Sequence, residues 1–443
     1  MNKINTVAIF GMGKSGKSAL RLALRKGMRA FCVNKGEVSK WYADEGLAPL
    51  IGVESCFSEE EFAGRFKDMD LIVLSPGIPT THPCLREALA LKVDLVSEIE
   101  FAYQFTKHVP VVAITGTNGK TTTTTMIDEC LRLAGKRVFC GGNIGVPYCD
   151  LALSEEEVDY AVIEVSSFQL ETIREFHPRI GLILNIFPNH SERYEKVIDY
   201  ARAKFRLLRN MDAGDDLILG TENDFLSEIA DHPARKSYFT KGKLPEDFLR
   251  RFDFRRALVK GEHNEANFYA TYRVLELLKI PELPQVFQRF IDSFKGVAHR
   301  LEFVLRHEGL SIYNDAKSTN SLATMTAIKA FKDSPEPLYL VLGGKLRSEA
   351  DRLLPDLLPY QGKITEIFVI GEVTERLYDE LAGHFSVVKS GELRKVFEAA
   401  KERKLQGNLV FSPAFPSFDQ FKNYVDRGER FKAWAREAFS GPR

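Results

Sequence analysis

Short apolar segments recur along the chain, and each is followed by glycine or polar residues and then by a stretch with helical spacing. The clearest segments are Val7–Phe10, Arg29–Val33, Asp70–Leu74, Val111–Ile114, Tyr160–Ile163, Ile180–Leu184, Asp216–Gly220, Leu310–Asn314, Leu338–Leu342, Glu366–Ile370 and Leu409–Phe411. Apolar runs of this length, bounded by turn residues, indicate strands that are buried on both faces. Their alternation with helical segments predicts an α/β protein with parallel, doubly wound sheets.

Three domains are expected, because 443 residues are too many for one core at roughly 150 residues per domain. A helix predicted at Glu98–Thr106 ends the first group of strands, and a new group begins near residue 295. We therefore predict an N-terminal Rossmann-like domain at 1–97, a central domain with a P-loop ATPase-like parallel sheet at 98–297, and a C-terminal Rossmann-like domain at 298–443.

Composition narrows the class of protein. Hydrophobic residues make up 44% of the chain and charged residues 28%, and Lys+Arg and Asp+Glu both total 61. That balance is typical of a soluble globular protein and gives no basic field for nucleic acid or a membrane surface. The six cysteines form no C-x-x-C pair, and no 18-residue apolar run occurs. We expect a cytoplasmic protein with neither nucleic acid nor membrane as a partner.

A phosphate-binding loop is predicted within Val111–Met126, V-V-A-I-T-G-T-N-G-K-T-T-T-T-T-M. Gly116 and Gly119 bracket a tight turn after a strand, and Lys120 and Thr121 begin a helix. Backbone N–H groups and the helix N-terminus attract an anion, the lysine reaches the terminal phosphates, and the threonine hydroxyl can ligate Mg²⁺. The pattern departs from a standard Walker loop at Ile114, where a glycine is expected, so a structural glycine turn is the competing interpretation.

A second loop, Gly11–Ser18, matches both the dinucleotide fingerprint G-x-G-x-x-G and the Walker pattern G-x-x-x-x-G-K-S. A dinucleotide site needs an acid at the end of the second strand, where this chain has Asn34. An NTPase needs a carboxylate at the end of a neighbouring strand to help hold Mg²⁺, but the strand Asp70–Leu74 is followed by Ser75. This loop therefore suits a bound diphosphate, or a purely structural turn, better than an ATPase centre.

The central domain supplies a carboxylate at the required place. Glu164 comes directly after the apolar run Tyr160–Ile163, and an acid at a strand end beside the phosphate loop is what a metal-assisted nucleotide site requires. His190 follows the next strand and is expected at the same sheet edge, although a structural histidine is the alternative. Lys204 lies in a predicted helix, Tyr194–Met211, where its chemistry alone gives it no special role.

The motifs along the whole chain resemble those of the Mur ligase family. In order they are G-M-G-K-S-G, S-P-G-I-P, T-G-T-N-G-K-T-T, G-N-I-G, E-V-S-S-F-Q-L-E, N-H-S-E-R-Y, H-N-E-A-N, H-R-L-E, N-D-A-K-S-T-N, L-G-G and S-P-A-F-P-S-F-D-Q-F-K-N. The motif T-G-T-N-G-K-T-T is shared with other Mur ligases and with folylpolyglutamate synthases. The motifs S-S-F-Q-L-E and S-F-D-Q-F-K-N, the latter followed by R-G, are similar to those of the branch that adds D-glutamate.

The resemblance implies an ATP-dependent, amide-forming ligase of peptidoglycan precursor synthesis, working as a monomer with ATP and Mg²⁺. The γ-phosphoryl group would pass to the carboxylate of UDP-N-acetylmuramoyl-L-alanine, and the amine of D-glutamate would attack the acyl phosphate and release phosphate. Phosphorylation supplies the leaving group that a carboxylate lacks, and Mg²⁺ with Lys120 would neutralise charge during the transfer.

The resemblance also implies roles for the matching residues. ATP binding is implied for Gly116, Thr117, Asn118, Gly119, Lys120, Thr121, Thr122, Asn267, Arg300 and Asp315. Catalytic roles are implied for Lys120, Glu164, His190 and Lys204, and metal binding for Thr121, Glu164, His190 and Lys204, the last as a carbamate. The UDP-linked substrate would be held by Lys14, Ser15, Ser75, Pro76, Gly77 and Asn143, and D-glutamate by Lys317, Thr319, Arg347, Ser417 and Tyr424.

The chain departs from the family pattern at a few positions. The family has acidic residues at the positions of Asn34 and Asn189, a lysine at Arg347 and a phenylalanine at Tyr424. None of these changes removes a metal ligand or the phosphate lysine. Three other functions compete with the expected one: a sister Mur ligase that adds another amino acid, an NAD(P)-dependent oxidoreductase that uses the Gly11–Gly16 loop, and a non-catalytic nucleotide-binding protein.

Overall fold

The computed structural model describes residues 4–259, 261–348 and 352–439, and its strands form three sheets. The first sheet contains β1 (Thr6–Phe10), β2 (Arg29–Asn34), β3 (Cys56–Ser58), β4 (Leu71–Leu74) and β5 (Asp94–Ser97). The second contains β6 (Val111–Thr115), β7 (Val138–Gly142), β8 (Tyr160–Glu164), β9 (Ile180–Ile183), β10 (Asp216–Gly220) and β11 (Arg235–Phe239). The third contains β12 (Glu302–His307), β13 (Leu310–Asn314), β14 (Leu338–Gly343), β15 (Ile364–Ile370), β16 (Val387–Gly391) and β17 (Gly407–Ala414). The α/β fold with three sheets is confirmed.

Helices alternate with these strands, as the apolar pattern predicts. They are α1 (Lys14–Arg25), α2 (Val38–Asp44), α3 (Arg86–Ala90), α4 (Glu98–Thr106), α5 (Lys120–Leu133), α6 (Cys149–Leu153), α7 (Ser167–Leu170), α8 (Val197–Phe205), α9 (Glu246–Arg251), α10 (Glu262–Leu277), α11 (Leu283–Ser293), α12 (Ser321–Lys329), α13 (Leu354–Leu357), α14 (Thr374–Leu381), α15 (Leu393–Glu402) and α16 (Tyr424–Phe439). The helix predicted at Tyr194–Met211 is shorter at both ends. The backbone N–H of Tyr194 bonds to the carbonyl of His190, so Tyr194 closes a turn before α8 begins.

The first sheet is parallel, with strand order β3-β2-β1-β4-β5. Its central strand β1 leads through Gly11 into α1, which places the Gly11–Ser18 loop at the carboxyl edge of the sheet. Gly11 has a φ of +87°, and a Cβ atom at Gly16 would lie 1.8 Å from the carbonyl oxygen of Gly11. The close approach of α1 to the strand therefore requires glycine at position 16.

The central sheet is also parallel, with strand order β11-β10-β9-β6-β8-β7. The fully buried strand β6 lies inside it, between β8 and β9. Parallel neighbours end at the same edge of a sheet, where ligands collect. The residues that follow Thr115 and Ile183 therefore lie beside Glu164, the last residue of β8.

The third sheet has strand order β12-β13-β17-β14-β15-β16. Its neighbours are parallel except for β12 and β13, which form an antiparallel pair. Only Glu308 and Gly309 connect these two strands, both with positive φ, and a connection of that length allows a hairpin but no helical crossover. Because β13, β17 and β14 are neighbours, the residues after Asn314, Ala414 and Gly343 share one edge.

The chain divides into two compact units. One comprises the first two sheets, with the chain up to Arg251 and Ala266–Phe287, and the other comprises Phe252–Glu265 and the chain from Gln288 onward. In the first unit one hydrophobic cluster contains residues of both sheets, such as Ile9 of β1 and Ile163 of β8. The boundary near residue 97 therefore separates two sheets that share a core, and the three-domain division stays a prediction.

Two buried carboxylates of α4 support the connection between these sheets. Glu100 is fully buried and accepts hydrogen bonds from three consecutive backbone N–H groups, those of residues 174–176. Glu98 is 1% exposed and accepts one from the backbone N–H of Cys149, at the start of α6. Burial raises the pKa of Glu98 to about 7, although the bond from Cys149 opposes the shift.

The structure also bears on membrane-spanning helices and on the state of the cysteines. No helix in the three described ranges is both long enough and apolar enough to cross a bilayer. The six cysteines all lie in those ranges, and each is a free thiol.

Replacing Glu98 by Gln should make the first unit more stable at high pH than the unmodified protein. The carboxyl group has an ordinary pKa of 4.5 and a folded pKa of about 7. The folded state therefore holds the proton more tightly, and the stability of the unmodified protein falls as pH rises between these values. The glutamine keeps the acceptor for Cys149 without this loss, so its relative stability should rise by up to ~3 kcal/mol between about pH 5 and about pH 8. Urea unfolding at both pH values measures the difference, and a difference independent of pH would contradict the burial argument.

Candidate nucleotide and amino-acid sites

The predicted phosphate loop connects β6 to α5. Gly116 and Gly119 have φ values of +151° and +83°, which favour glycine. Lys120, the first residue of α5, donates hydrogen bonds from Nζ to the carbonyls of Gly116 and Thr117, both at 2.9 Å. The ammonium group is therefore held inside the loop, next to the N-terminus of a 14-residue helix, where an anion is favoured.

Asn185, which sequence reasoning did not assign, holds this loop from the neighbouring strand. Its Oδ1 atom accepts from the backbone N–H of Asn118 at 2.8 Å, and its Nδ2 atom donates to the Asn118 carbonyl at 3.2 Å. Its own carbonyl accepts from the backbone N–H of Thr117 at 3.0 Å. The available signal was positional, since Asn185 follows the apolar run Ile180–Leu184 and β9 adjoins β6.

Glu164 links three segments at the edge of the central sheet. It is 2% exposed, its Oε2 atom accepts from the Thr121 hydroxyl at 2.8 Å, and its Oε1 atom accepts from Nδ2 of Asn143 at 2.9 Å. Asn143 also donates its backbone N–H to the Glu164 carbonyl at 2.9 Å. The acid and the loop threonine are thus adjacent, as their strand-end positions predict. Asn143 is hydrogen-bonded to the same carboxylate. Its contact with the UDP-linked substrate stays a prediction.

Lys204 is buried beneath the phosphate loop. Its side chain comes from α8, it is 1% exposed, and Nζ donates to the Gly116 carbonyl at 2.9 Å. Burial lowers the pKa of Lys204 well below its ordinary range, the charge of Lys120 lowers it further, and Glu164 opposes the shift. An amine in this environment favours the neutral form, which distinguishes Lys204 from a surface lysine.

His190 and Lys204 both contact Tyr200. The His190 ring lies 5.9 Å from the Tyr200 ring, and the Lys204 Nζ atom lies 4.4 Å from the Tyr200 ring centre. His190 is half-buried, with a left-handed φ of +55°, and its Nδ1 atom lies 2.9 Å from Oε1 of Glu192. That contact orients the imidazole, so we expect any metal bond to form through Nε2.

Asn267 is the predicted ATP contact that lies beside the loop. It is 7% exposed, and its Oδ1 atom accepts from the Thr123 hydroxyl at 3.2 Å. A Cβ atom at Gly119 would lie 3.0 Å from the same oxygen, so α10 reaches the turn itself. Thr122 is half-buried on the first turn of α5.

The Gly11–Ser18 loop connects β1 to α1 at the carboxyl edge of the first sheet. The Ser75 hydroxyl, after β4, donates to the Gly11 carbonyl at 2.7 Å, which ties together the two segments predicted to hold the diphosphate. Lys14 and Gly77 are exposed, and Ser15 and Pro76 are half-buried. Asn34 ends β2 at the same edge, so the last residue of this strand is not an acid.

Asp315 lies at the carboxyl edge of the third sheet. It is 7% exposed and accepts hydrogen bonds from the hydroxyls of Ser318 and Ser412, the latter at 2.7 Å, and from the backbone N–H of Leu301 at 3.0 Å. Burial raises the pKa of Asp315 to about 6, while these bonds and the charge of Arg300 oppose the shift. The backbone N–H of Arg300 itself bonds to the carbonyl of residue 297.

The residues predicted to bind D-glutamate also follow strands of the third sheet. The Lys317 Nζ atom lies 5.6 Å from the centre of the Tyr424 ring, and the Arg347 guanidinium donates to the Thr319 carbonyl. Ser417 is 2% exposed, and its carbonyl accepts from the backbone N–H of Phe421. The structure therefore places these five residues on the loops after β13, β14 and β17 and at the start of α16. These residues, with Arg300 and Asp315, belong to the second unit, whereas the phosphate loop belongs to the first.

Two family models match this chain. The Mur ligase middle domain matches residues 114–274, and the Mur ligase MurD-like, N-terminal domain matches residues 5–97. A UDP-N-acetylmuramoylalanine–D-glutamate ligase of Aquifex aeolicus is 35% identical over 432 residues, covering 96% of this chain and 97% of that protein. A ligase of the same name from Koribacter versatilis is 34% identical, covering 97% of each chain.

Solved structures with the same fold are more distant in sequence. The UDP-N-acetylmuramate-alanine ligase MurC from Thermotoga maritima has a TM-score of 0.54 at 18% identity, covering 98% of this chain and 100% of that one. A MurF ligase from the same organism, in complex with ADP, has a TM-score of 0.55 at 15% identity, covering 99% and 96%. At these identities the likeness supports the fold alone.

Replacing Asn185 by Ala should weaken nucleotide binding. Both side-chain bonds to Asn118 would be lost, and at roughly 1 kcal/mol each the KM for ATP should rise about 5- to 30-fold. Asn185→Asp keeps the acceptor for the Asn118 N–H, so its KM for ATP should lie between those of the unmodified protein and Asn185→Ala. Steady-state kinetics measure the effect. Asn210→Ala is a matched control, because the Asn210 side chain likewise makes two hydrogen bonds to the backbone of the same unit, donating to the carbonyls of Arg174 and Phe176. An equal rise in KM for this control would contradict the assignment.

Proposed function

We propose that this chain, which belongs to the Mur ligase family, is an ATP-dependent ligase. It would join D-glutamate to UDP-N-acetylmuramoyl-L-alanine through an acyl phosphate. Relatives of that activity match nearly the whole chain, so the substrates implied by their names are assigned to it. The product would be a peptidoglycan precursor. Six free thiols suit a reducing compartment such as the cytoplasm.

The observation that carries the proposal is the contact between Thr121 and Glu164, 2.8 Å apart, next to Lys120. Lys120 would move from its loop carbonyls to the terminal phosphates and neutralise the charge that spreads over the transferred group. The backbone N–H groups of Thr117 and Asn118 bond to Asn185, so the N–H groups at the N-terminus of α5 would orient the phosphates. These residues would position ATP for attack by the substrate carboxylate.

The donor set near the loop fits Mg²⁺. The Thr121 hydroxyl and the buried Glu164 carboxylate are hard oxygen ligands, which this cation prefers. A bound Mg²⁺ would add positive charge beside the phosphates. Asn143 donates to the other oxygen of Glu164 and so orients the carboxylate toward Thr121.

A second cation site would be formed by His190 and a carbamate of Lys204. An ammonium group cannot ligate a cation, but a neutral amine can form a bond to the carbon of CO₂ and release a proton, which leaves a carbamate with anionic oxygen donors. Lys204 is buried at a loop carbonyl, where the neutral form is favoured. His190 lies against the same tyrosine ring.

The other substrates would bind at the first and the third sheet. The Gly11–Ser18 loop, joined to Ser75, presents a helix N-terminus and Lys14 to the diphosphate of the UDP group. In the second unit, Lys317 and Arg347 would provide positive charge for the two carboxylates of D-glutamate, Arg347 as a bidentate fork. Thr319 and Ser417 would add hydroxyl contacts.

An amino-acid panel tests the activity. Phosphate release should require ATP, UDP-N-acetylmuramoyl-L-alanine and D-glutamate together, and L-alanine, L-glutamate, L-lysine and meso-diaminopimelate should not replace D-glutamate. Lys120→Ala should lower the rate by on the order of 10³-fold, because the charge on the phosphates would lose its main cation. Lys136→Ala, just past the other end of α5, should leave the rate of phosphate release unchanged. Release with a different amino acid would indicate a sister ligase, and NAD(P)H binding without phosphate release would favour the oxidoreductase.

The carbamate at Lys204 has a direct spectroscopic test. With ¹³C-labelled bicarbonate, the unmodified protein should show a carbamate carbon resonance, because the buried amine is held in its reactive neutral form. Lys204→Met, which keeps an unbranched side chain without the amine, should remove that resonance and lower turnover on the order of 100-fold through the loss of a metal ligand. A resonance that persists in Lys204→Met, or none in the unmodified protein, would contradict the assignment.

A further inference from the structure

A fully buried arginine connects the loops at the carboxyl edge of the third sheet. Arg427, on the first turn of α16, is 1% exposed. Its two terminal nitrogens donate to different loops: Nη1 to the carbonyl of Phe415 and Nη2 to the carbonyl of Ala316, both at 2.9 Å. The planar fork of a guanidinium allows both bonds at once.

Each of these carbonyls lies next to residues assigned to D-glutamate. Ala316 immediately precedes Lys317, and Phe415 lies two residues before Ser417. Tyr424, three residues before Arg427, lies one turn away on the same helix. One guanidinium thus fixes the backbone of the loops after β13 and β17.

The loop after β14 also packs against Arg427. A Cβ atom at Gly344 would lie 3.1 Å from Nη1 of Arg427 and 2.2 Å from the Pro416 carbonyl oxygen. The backbone N–H of Lys345 donates to that carbonyl at 2.8 Å. Arg347 follows two residues later. All three strand-end loops that carry candidate D-glutamate ligands therefore meet at this arginine.

The Arg427 guanidinium is bonded to backbone carbonyls rather than to a carboxylate. Its Nε atom has no hydrogen-bond partner, and its Cζ atom lies 5.7 Å from the centre of the Phe411 ring. Burial lowers the pKa of Arg427 to about 10, while the charge of Asp419 opposes the shift. That carboxylate instead accepts from the backbone N–H of Glu372. A buried cation of this kind is costly, and an apolar residue of similar volume is often at least as stabilising.

We propose that Arg427 is a positioning residue for the amino-acid subsite. It holds the loops of Lys317, Arg347 and Ser417 in one arrangement, and its buried positive charge favours a ligand with two carboxylates. The inference rests on the proposed function, because it takes these loops to be the D-glutamate subsite. The residue acts through the loops and does not contact the substrate.

Two replacements separate positioning from general stability. Arg427→Met removes both donors and the charge, and should raise the KM for D-glutamate about 10-fold or more, as expected when two ordered loops lose their common support. The KM values for ATP and for UDP-N-acetylmuramoyl-L-alanine should stay within about twofold. Arg427→Lys keeps the charge but cannot bond both carbonyls with the same fork. Its KM for D-glutamate should lie between those of the unmodified and Met proteins.

A matched control is available at the opposite edge of the same sheet. Arg403 forms an ion pair with the carboxylate of Glu366, near the start of β15, and its Cζ atom lies 5.9 Å from the centre of the Phe368 ring. Arg403→Met should lower the unfolding temperature while leaving every KM unchanged. If it raised the KM for D-glutamate as much as Arg427→Met does, the effect would be one of stability alone.

The outcomes also separate this inference from the proposed function. No amino-acid-dependent phosphate release from the unmodified protein would refute the proposed function. An active unmodified protein with an unchanged KM for D-glutamate in folded Arg427→Met, or with equal rises for all three substrates, would refute only the role of Arg427. If Arg427→Met does not fold, Arg427→Lys decides, and an unchanged KM for D-glutamate there would overturn the proposal.

Discussion

The buried carboxylate of Glu164 is the constraint on which the central site depends. A carboxylate that is 2% exposed must be satisfied inside the protein, and Thr121 and Asn143 provide the two hydrogen bonds. Those bonds fix the first turn of α5 against β8 and the end of β7 against the same strand. The stability of the sheet edge and the geometry of the proposed cation site therefore come from the same three residues.

The two lysines beside this carboxylate are not equivalent. Lys120 and Lys204 both donate to the carbonyl of Gly116, each at 2.9 Å, which brings two amines to one oxygen. Two positive charges this close repel each other, so the neutral form is favoured for one of the two amines. Lys204 is the more buried of the two, and the charge of Lys120 lowers its pKa further. In the proposed function, Lys120 would therefore remain the phosphate-binding cation, and Lys204 would be the amine that forms the carbamate.

Much of this arrangement could be predicted from sequence because it depends on strand ends. Apolar runs located β6, β8 and β9, and the residues after them converge by the geometry of parallel sheets. Lys204 could not be found from its own chemistry, since its burial depends on how α8 packs beneath the loop. Arg427 follows a recognised motif, but the sequence assigned it no role, because only the structure shows which carbonyls its guanidinium group contacts. Strand β11 went unnoticed, since its half-exposed residues give an edge strand little apolar signal.

The two glycine loops of the first unit show that a loop pattern alone does not identify its ligand. Both follow a central parallel strand and both lead into a helix N-terminus. Gly11–Ser18 matches the Walker sequence pattern better than the loop after β6 does. The neighbouring strand differs: β4 is followed by Ser75, whose hydroxyl bonds to the loop carbonyl, whereas β8 ends in Glu164. A hydroxyl at that position can close a turn around a phosphate, but it brings no negative charge to hold a divalent cation. In the proposed function, the loop would supply the anion site, and the residue at the end of the neighbouring strand would determine whether phosphate is held or transferred there.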